Sequence, residues 1–366
     1  MKKRKILFHI NSLGKGGAER VVSVLSGYLV LDGYEVVIVT LWRAKEEYKL
    51  SDKVVRINLG DKNPGKSTGR LKQAVSRFTD LRKVIQKETP DIVISFCNKA
   101  NFRSAFAMTG MKIPLLVSVR NDPRIDYAPH KLASWWMEKK AAGCVFQTPD
   151  AQKFFKNGLE KKSRIIWNPV DEKYLTDESE RSEGNFIAAV GRISFQKNHL
   201  LLLKAFDMIR DKFPQIELHI YGEDSEVGVR EILNQFVKEH GLEDQVKFMG
   251  QCSELEKKLK KALLFVLPSD YEGMPNALIE AMVLGLPVIS TDCPCGGSAM
   301  LIEDRISGIL VPVGDEQRLA EAMERLLKDR ESAKEMGENA KKIIEKVSPY
   351  QVYEEWKHYV EELVKH

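Results

Sequence analysis

The sequence lacks any long hydrophobic run. The apolar stretch that follows the basic N-terminus, Ile6 to Ile10, is far shorter than the apolar core of a secretory signal. No segment approaches the roughly 20 apolar residues that a helix needs to cross a bilayer. We therefore expect a cytoplasmic protein that is neither secreted by a classical signal nor integral to a membrane.

Cysteine is also scarce, and its pattern excludes two classes of protein. The five cysteines are odd in number and scattered, which argues against a disulfide framework. Cys293 and Cys295 flank a single proline, which is not the spacing of a zinc knuckle.

The G-x-G-x-x-G fingerprint is absent after the first predicted strand, which argues against a dinucleotide oxidoreductase.

Length and charge indicate two domains with different partners. A chain of 366 residues exceeds the roughly 250–300 residues at which single cores stop growing. Residues 1–170 carry 32 Lys and Arg against 15 Asp and Glu, whereas residues 171–366 carry 25 against 37. The basic half suits anionic lipid or a phosphate-bearing acceptor. Nucleic acid would suit the charge too, but no aromatic and basic motif for it is present.

Short β-branched runs alternate with segments of helical periodicity through most of the chain. This pattern predicts parallel sheets covered by helices on both faces. It restarts after a break near 169–184, so we place one domain at 1–168 and a second at 169–349. Strands are predicted at Lys5–Ile10, Glu35–Leu41, Val54–Leu59, Ile92–Phe96, Leu115–Arg120, Gly143–Thr148 and Arg164–Trp167, then at Phe186–Val190, Ile216–Tyr221, Val246–Met249, Leu263–Leu267, Pro287–Ser290 and Gly308–Val313.

The end of the chain is predicted to be helical over Leu319–Leu327, Ala333–Val347 and Tyr350–Val364. The last of these helices has an aromatic face that includes Tyr353, Trp356 and Tyr359. Such a face must be buried, and we assign residues 350–366 to the first domain.

Two short motifs follow strands and suit phosphate. Gly14–Gly17 precedes a helix, where glycine allows close backbone approach and the helix start favours an anion. Tight packing of strand against helix explains these glycines equally well. Arg192 and Lys197 follow the first strand of the second domain, at the strand end where α/β proteins bind ligands. Two solvated surface charges are the alternative.

The most specific motif runs from Ser269 to Glu280. A strand ends, a glycine turn follows, and a helix is predicted to start near Pro275. Glu272 lies in the turn and Glu280 lies in an apolar part of the helix, where a carboxylate is costly to bury unless it accepts hydrogen bonds. Both can face one ligand at the helix start, together with backbone N–H groups of Met274, Asn276 and Ala277.

Taken in order, these motifs resemble glycosyltransferase family 4, whose members are retaining enzymes with the two-domain GT-B fold. The resemblance covers essentially the whole chain and includes Tyr221-Gly222-Glu223 and the segment from Asp304 to Pro312. It implies two Rossmann-like parallel-sheet domains facing across a cleft, with the C-terminal helix crossing back to the N-terminal domain. The first domain would bind the acceptor and the second the nucleotide sugar.

The resemblance also implies roles for individual residues. Arg192 and Lys197 would bind the donor diphosphate, with Gly16 and Gly17 closing on it from the first domain. Glu280 would bind ribose, and Glu272 would hold the transferred sugar. The backbone of Gly273, Met274, Asn276 and Ala277 would contact sugar and phosphate, and the base would lie near Cys252. The resemblance implies a UDP-sugar donor and no metal or other cofactor, and no D-x-D motif is placed to suggest otherwise.

The chain departs from many relatives in having no histidine after the fourth or fifth strand. We therefore expect the leaving phosphate to take the acceptor proton, with Lys99, Arg120, Asn121 and Asp122 lining the site. Asp122 could act as a weak base, although a turn residue before Pro123 is the favoured alternative.

Residues 70–85 form a predicted basic amphipathic helix. Its apolar face either lies in a membrane interface or, as we favour, packs on its own domain. Trp135 and Trp136 are either an interfacial anchor or core. The Gly-Gly-Ala-Glu-Arg and Val-Arg-Asn-Asp-Pro segments are similar to bacterial hexosaminyltransferases of lipid-linked glycan assembly. This similarity implies an undecaprenyl-diphosphate-linked glycan or another glycolipid as acceptor, with peripheral contact to the inner face of the membrane.

Two other functions remain open on the sequence. A GT-B nucleotide-sugar 2-epimerase would share the donor site and transfer nothing. A non-catalytic protein that binds nucleotide sugars is the second, and the intact Glu272 and Glu280 argue against it.

Overall fold

The computed structural model describes residues 4–62, 70–156, 158–175 and 184–365, without the side chains of 61, 62 and 70–74. The chain forms two compact units. Unit 1 comprises residues 1–169 and 348–366, and unit 2 comprises residues 170–347. The division lies one residue after the predicted limit at 168. The polar segment at 176–183, part of the predicted linker, lies outside the described residues.

Unit 1 contains a seven-stranded parallel sheet in the order β3-β2-β1-β4-β5-β6-β7. Ile6 of β1 pairs with Val36 of β2 on one side and with Ile92 of β4 on the other. Because helices cover both faces of a parallel sheet, its strands are apolar almost throughout, as the sequence pattern indicated. The strands are β1 Lys5–His9, β2 Glu35–Thr40, β3 Val55–Asn58, β4 Ile92–Phe96, β5 Leu115–Ser118, β6 Gly143–Phe146 and β7 Ser163–Ile165.

Unit 2 contains a six-stranded parallel sheet in the order β10-β9-β8-β11-β12-β13. In each unit the order reverses beside the first strand in the chain, and α/β sheets bind ligands at the carboxyl ends of strands at such a point. The strands are β8 Phe186–Val190, β9 Glu217–Tyr221, β10 Val246–Gly250, β11 Leu264–Leu267, β12 Val288–Thr291 and β13 Ile309–Val311.

Helices connect the strands in both units. In unit 1 they are α1 Gly17–Leu31, α2 Arg70–Glu88, α3 Asn98–Ala107, α4 Pro123–Asp126, α5 Lys131–Lys140 and α6 Pro149–Phe154. In unit 2 they are α7 His199–Asp207, α8 Val229–Glu239, α9 Leu255–Leu259, α10 Asn276–Val283, α11 Gly297–Leu301, α12 Glu316–Lys328, α13 Arg330–Lys341 and α14 Ile344–Val347. Short 3-10 turns occur at Leu59–Lys62, Ala128–His130, Glu160–Lys162, Glu172–Tyr174, Phe195–Lys197 and Arg210–Lys212.

One predicted helix is interrupted. The sequence pattern indicated a single helix over Ala333–Val347, but α13 ends at Lys341 and α14 begins at Ile344. Ile343 donates its backbone N–H to Ala340, three residues earlier, so the chain tightens out of the α-helical pattern at this point. Periodicity alone does not show such a break, because both segments keep an apolar face.

The last helix, α15 Pro349–Lys365, belongs to unit 1, as predicted. Tyr353 and Trp356 are each 1% exposed and pack in the same apolar core as β1 and β4. The Trp356 ring stacks on Phe96 with centroids 5.4 Å apart. The aromatic face of the helix therefore completes the core of the first unit.

Among the described residues, no helix combines the length and apolar character needed to cross a membrane.

Candidate active site

Two loops of unit 2 are joined at the carboxyl end of its sheet. One follows β8 and the other follows β11, which is the neighbour of β8. Asp270 donates its backbone N–H to Gln196 O at 2.9 Å, and Gln196 Nε2 donates to Tyr271 O at 2.9 Å. Asn198 Nδ2 donates to Asp270 Oδ1 at 2.7 Å. These bonds hold the two motifs identified in the sequence at a fixed separation.

Lys197 and Glu272 form an ion pair across these loops. Lys197 Nζ lies 2.5 Å from Glu272 Oε1, and Ser269 Oγ donates to the same oxygen at 2.7 Å. Glu272 is 6% exposed, so its charge is held by these two donors in a largely desolvated place. The second oxygen, Oε2, accepts no hydrogen bond from any described residue. That oxygen is available to a ligand hydroxyl.

Gly191 makes room for the Lys197 side chain. A Cβ atom built on Gly191 would lie 3.0 Å from Lys197 Cδ and 3.1 Å from its Cγ. The lysine stem therefore runs across the glycine on its way to Glu272. A larger side chain at this position would require the lysine stem to shift.

The backbone of Glu272 is held from a second side. Its N–H donates to Pro294 O at 2.6 Å, and the Cys295 N–H donates to Glu272 O at 2.8 Å. A Cβ atom on Gly297 would lie 1.8 Å from Gly273 O, so the start of α11 packs directly against the glycine turn. Burial raises the pKa of the nearby Cys293 thiol to about 12, and the Glu272 charge adds to the shift.

The helix after Glu272 begins one residue later than predicted. Pro275 is the N-cap of α10, and its carbonyl accepts from the Leu278 N–H at 3.2 Å. The first-turn residues Asn276 and Ala277 follow directly, and Met274 is buried before them. Glu280 is 4% exposed and interacts with other parts of the protein.

The other predicted donor residues lie at the same edge of the sheet. Arg192 is exposed in the loop after β8. Cys252 is half-buried after β10, close enough to Tyr221 to interact with it electrostatically. Burial, with a smaller contribution from Cys252, raises the pKa of the Tyr221 phenol to about 12.

His199, which the sequence did not single out, lies at the start of α7 beside the Lys197 loop. It is 2% exposed, and its ring lies near the backbone of Gly191 and Arg192 with no hydrogen-bonded side chain among the described residues. Burial, together with the nearby Lys197 charge, lowers its pKa to about 4.

In unit 1, the glycine loop leads into α1 as expected. Gly16 is the N-cap and Gly17 is the first helical residue. A Cβ atom on Gly16 would lie 2.3 Å from Glu19 Oε2, so the Glu19 carboxylate folds back over the helix start. A ligand phosphate at this helix start would therefore meet a carboxylate of the protein.

Arg120 lies at the carboxyl end of the unit 1 sheet. Its guanidinium donates to Asn168 Oδ1 and, at 3.3 Å, to Ser118 Oγ, and it lies over the Phe96 ring. Gln147 Nε2 donates to the same Asn168 oxygen at 2.8 Å. Burial lowers the pKa of Arg120 to about 10.

The remaining predicted acceptor residues have mainly structural contacts. Asp122 caps α4: it is 3% exposed and accepts from the Arg124 N–H at 2.9 Å. This is the turn role that the sequence favoured for it. Asn121 hydrogen-bonds Asp126, whose carboxyl pKa is raised chiefly by burial. Lys99 is exposed at the start of α3.

Sequence reasoning missed Ser269, Asn168 and Gly297 as site residues. Ser269 was visible in the motif three residues before Glu272, but its bond to the carboxylate depends on the turn geometry. Asn168 and Gly297 carry no local signal, because their roles arise from contacts with distant parts of the chain. Within the described ranges, no three or more His, Cys, Asp or Glu side chains form a group that could hold a metal ion.

Comparison with known proteins identifies the family. The sequence model described as "Glycosyltransferase Family 4" matches residues 15–174, and that described as "Glycosyl transferases group 1" matches residues 170–343. Both models describe glycosyltransferases and together they span residues 15–343, so the chain is a glycosyltransferase. Apart from Gly14, both groups of motifs described above lie within the matched ranges of this glycosyltransferase.

Two curated relatives from Campylobacter jejuni match the glycosyltransferase along almost its entire length. GalNAc-alpha-(1->4)-GalNAc-alpha-(1->3)-diNAcBac-PP-undecaprenol alpha-1,4-N-acetyl-D-galactosaminyltransferase is 27% identical, over 96% of this chain and 97% of the relative. N-acetylgalactosamine-N,N'-diacetylbacillosaminyl-diphospho-undecaprenol 4-alpha-N-acetylgalactosaminyltransferase is 27% identical, over 94% of this chain and 96% of the relative.

Among solved structures, Anabaena HepE in complex with UDP and glucose superposes with a TM-score of 0.80. The match covers 98% of this chain and 99% of that chain at 19% identity. The glycosyltransferase therefore has the GT-B fold that the sequence motifs predicted, with one Rossmann-like sheet in each unit.

Proposed function

We propose that this glycosyltransferase transfers a hexose or N-acetylhexosamine from a UDP-sugar to a membrane-lipid-linked glycan, with retention of anomeric configuration and without a metal ion. The observation that carries the proposal is the buried pair of Lys197 and Glu272 at the carboxyl end of the unit 2 sheet. It joins a cation suited to phosphate with a carboxylate suited to sugar hydroxyls.

Unit 2 would hold the donor. Arg192 and Lys197 would bind the diphosphate, and Glu280 would bind the ribose hydroxyls. The free Oε2 of Glu272 would accept a hydrogen bond from the transferred sugar, since Oε1 is already occupied by protein donors. The backbone from Gly273 to Ala277 would contact sugar and phosphate. The HepE complexes with UDP and with UDP and glucose support a donor of this class.

The chemistry would be a front-face substitution. The bond between the anomeric carbon and the diphosphate oxygen breaks, and the acceptor hydroxyl forms a new bond on the same face. The leaving diphosphate takes the acceptor proton, which fits Asp122 serving as a helix cap. Lys197, Arg192 and the start of α10 would stabilise the charge on the leaving group in place of a metal. Both relatives are named alpha-transferases, and an alpha product from an alpha-linked UDP-sugar corresponds to retention.

The proposed role of unit 2 in donor binding is tested by Glu272→Gln, which keeps the shape of the side chain and removes its charge. Turnover should fall about a hundredfold, while UDP binding measured by calorimetry stays close to wild type, because the carboxylate contacts the sugar. Glu324→Gln on α12 is the matched control and should retain full turnover.

Product analysis distinguishes the remaining alternatives. We expect an alpha-linked product by NMR, formed only with a lipid-linked acceptor and at an unchanged rate in EDTA. A changed free sugar released without any acceptor would identify an epimerase and contradict the proposal.

Unit 1 would bind the acceptor at the inner face of the cytoplasmic membrane. Its helices α2, α3 and α5 expose Val75, Phe106, Leu132 and Trp135 at 59%, 44%, 84% and 47%. Exposed apolar and aromatic side chains among basic residues are typical of surfaces that enter a membrane interface. The relatives named for undecaprenol-linked substrates support such an acceptor.

The predicted basic helix contributes to this surface only in part. Arg70, Leu71 and Lys72 have side chains outside the described residues. Leu81 and Ile85 are fully buried, and Phe78 packs edge-on against Phe106, so this part of the apolar face contacts the helix's own unit.

Liposome flotation tests the membrane contact. Wild-type protein should float with vesicles that contain anionic lipid, and replacing both Leu132 and Trp135 by Ser should reduce recovery severalfold, because both side chains are exposed on one face of α5. Equal recovery with neutral and anionic vesicles would contradict the electrostatic part of the proposal.

A further inference from the structure

Arg103 of α3 carries a buried positive charge at the carboxyl end of β1. Arg103 is 8% exposed. Nη1 donates to Asn11 Oδ1 and lies beside His9 Nε2, each at 3.3 Å. Within the described chain, no carboxylate forms an ion pair with this guanidinium.

The histidine beside Arg103 is neutral. His9 is fully buried, and this burial, reinforced by the Arg103 charge, lowers its pKa well below the ordinary value. Its Nδ1 lies 2.8 Å from Ser104 Oγ, so the ring proton is assigned to Nδ1 and Nε2 accepts from Arg103. The histidine therefore orients the guanidinium without neutralising it.

Arg77 of α2 adds a second cation to the same place. Burial lowers the pKa of Arg103 to about 10, and repulsion from Arg77 contributes to this shift. Arg103 nevertheless stays charged at neutral pH. A buried guanidinium normally has a carboxylate or another anion as its partner, because an unpaired buried charge is costly.

Half of the Arg103 hydrogen-bonding fork has no acceptor among the described residues. Nη1 is engaged with Asn11 and His9, whereas Nε and Nη2 donate to no group in the described part of the chain. These two N–H groups form one edge of the planar guanidinium, and that edge matches two oxygens of a phosphate. The site also lies where parallel sheets bind ligands, at the carboxyl end of β1, beside the point where the strand order reverses.

We propose that Arg103, supported by His9 and Asn11 and accompanied by Arg77, forms an anion site in unit 1 that binds a phosphate or diphosphate group. The identity of the anion as the acceptor's diphosphate rests on the proposed function. Binding of the anion itself does not, because the site uses none of the donor residues of unit 2.

Calorimetric titration with inorganic pyrophosphate at low salt tests the site. We expect Arg103→Gln to weaken binding by about tenfold or more, and Arg103→Lys to weaken it less, since lysine keeps the charge and loses the fork. Arg164→Gln removes an exposed arginine of the same unit, which pairs with Glu362, and should bind pyrophosphate like wild type. Equal affinity in wild type and both Arg103 variants would overturn the proposal.

An NMR titration keeps the test valid if Arg103→Gln folds poorly. In wild-type protein, pyrophosphate should shift the ring signals of His9, which contacts Arg103 directly. Unshifted His9 signals at saturating pyrophosphate would count against the site.

Two further binding measurements identify the source of the anion. UDP should bind wild type and Arg103→Lys equally, whereas a polyprenyl diphosphate in neutral detergent should bind the variant several times more weakly. An equal loss of UDP affinity would overturn the assignment to the acceptor. Loss of donor turnover in Glu272→Gln concerns unit 2 alone, so the two proposals can fail separately.

Discussion

At the scale of single residues, His199 links the donor loop of unit 2 to pH. Its ring is buried next to Lys197 and hydrogen-bonds no side chain within the described structure. Folding therefore keeps it neutral at a pH where a histidine in the unfolded chain already binds a proton, the ordinary pKa being 6.5 against about 4 in the folded protein.

This difference predicts acid sensitivity of unit 2. The unfolded chain binds the additional proton below about pH 6.5, so the free energy of unfolding should fall as the pH is lowered, by about 3 kcal/mol by pH 4. His199→Gln should reduce this loss, as measured by urea unfolding at several pH values between 7 and 4. Parallel pH profiles for wild type and variant would contradict the prediction.

Glu272 depends on its surroundings in a different way. Its carboxylate is fixed through one oxygen by Lys197 and Ser269, while its backbone is held by Pro294 and Cys295. A side chain held at this many points loses little further freedom on binding a sugar, and such preorganisation favours catalysis.

At the scale of elements, the start of α11 positions the glycine turn that carries Glu272. Gly297 approaches Gly273 O so closely that no side chain fits between them. Helix and turn therefore act as one support, although they come from different crossovers of the sheet.

Gly297→Ala should displace this turn. Its Cβ would lie 1.8 Å from Gly273 O, so we expect a loss of about 1–3 kcal/mol in the free energy of unfolding and a clear fall in transferase activity. Urea unfolding and turnover assays measure both effects.

The control is Gly27→Ala in the middle of α1, where a Cβ atom meets nothing within 4 Å. It should stabilise the protein by about 0.5–1 kcal/mol through helix propensity and leave turnover unchanged. Similar effects of the two alanines would show that Gly297 has no special packing role.

At the scale of the whole molecule, the chain leaves unit 1, builds unit 2 and returns to unit 1 through α15. Beyond its core contacts, the returning helix is bound to unit 1 by polar contacts at Asp32. Tyr353 donates to this carboxylate at 2.6 Å and Lys357 pairs with it at 2.5 Å, which together lower the pKa of Asp32.

Trp356→Ala should therefore destabilise unit 1 selectively. Truncating a fully buried tryptophan that stacks on Phe96 should lower the free energy of unfolding of unit 1 by about 3–5 kcal/mol. Unit 2 has a separate hydrophobic core, so its stability should change little. We expect two separate unfolding transitions in the variant by calorimetry, with UDP raising only the later one.

Tyr350→Ala on the same helix is the control, since Tyr350 is 59% exposed and should cost about 1 kcal/mol or less. A single transition at the wild-type temperature in Trp356→Ala would contradict the prediction.

The sequence by itself determined the sheets, the order of the motifs and the family. Every predicted strand is present to within one or two residues at most ends, because near-continuous apolar runs between helices are typical of buried parallel strands. The motif residues from Ser269 to Glu280 are local in the chain, so their grouping could be recognised directly.

Only the tertiary structure decided which side chains meet. Lys197 and Glu272 are 75 positions apart and Arg103 and His9 are 94 apart, and their contacts depend on how loops and helices pack beyond the strand ends. A parallel sheet brings the carboxyl ends of its strands to one edge, which the sequence pattern predicts. The pattern does not contain the atom-scale packing that leaves Glu272 Oε2 and one edge of Arg103 without hydrogen-bond partners among the described residues.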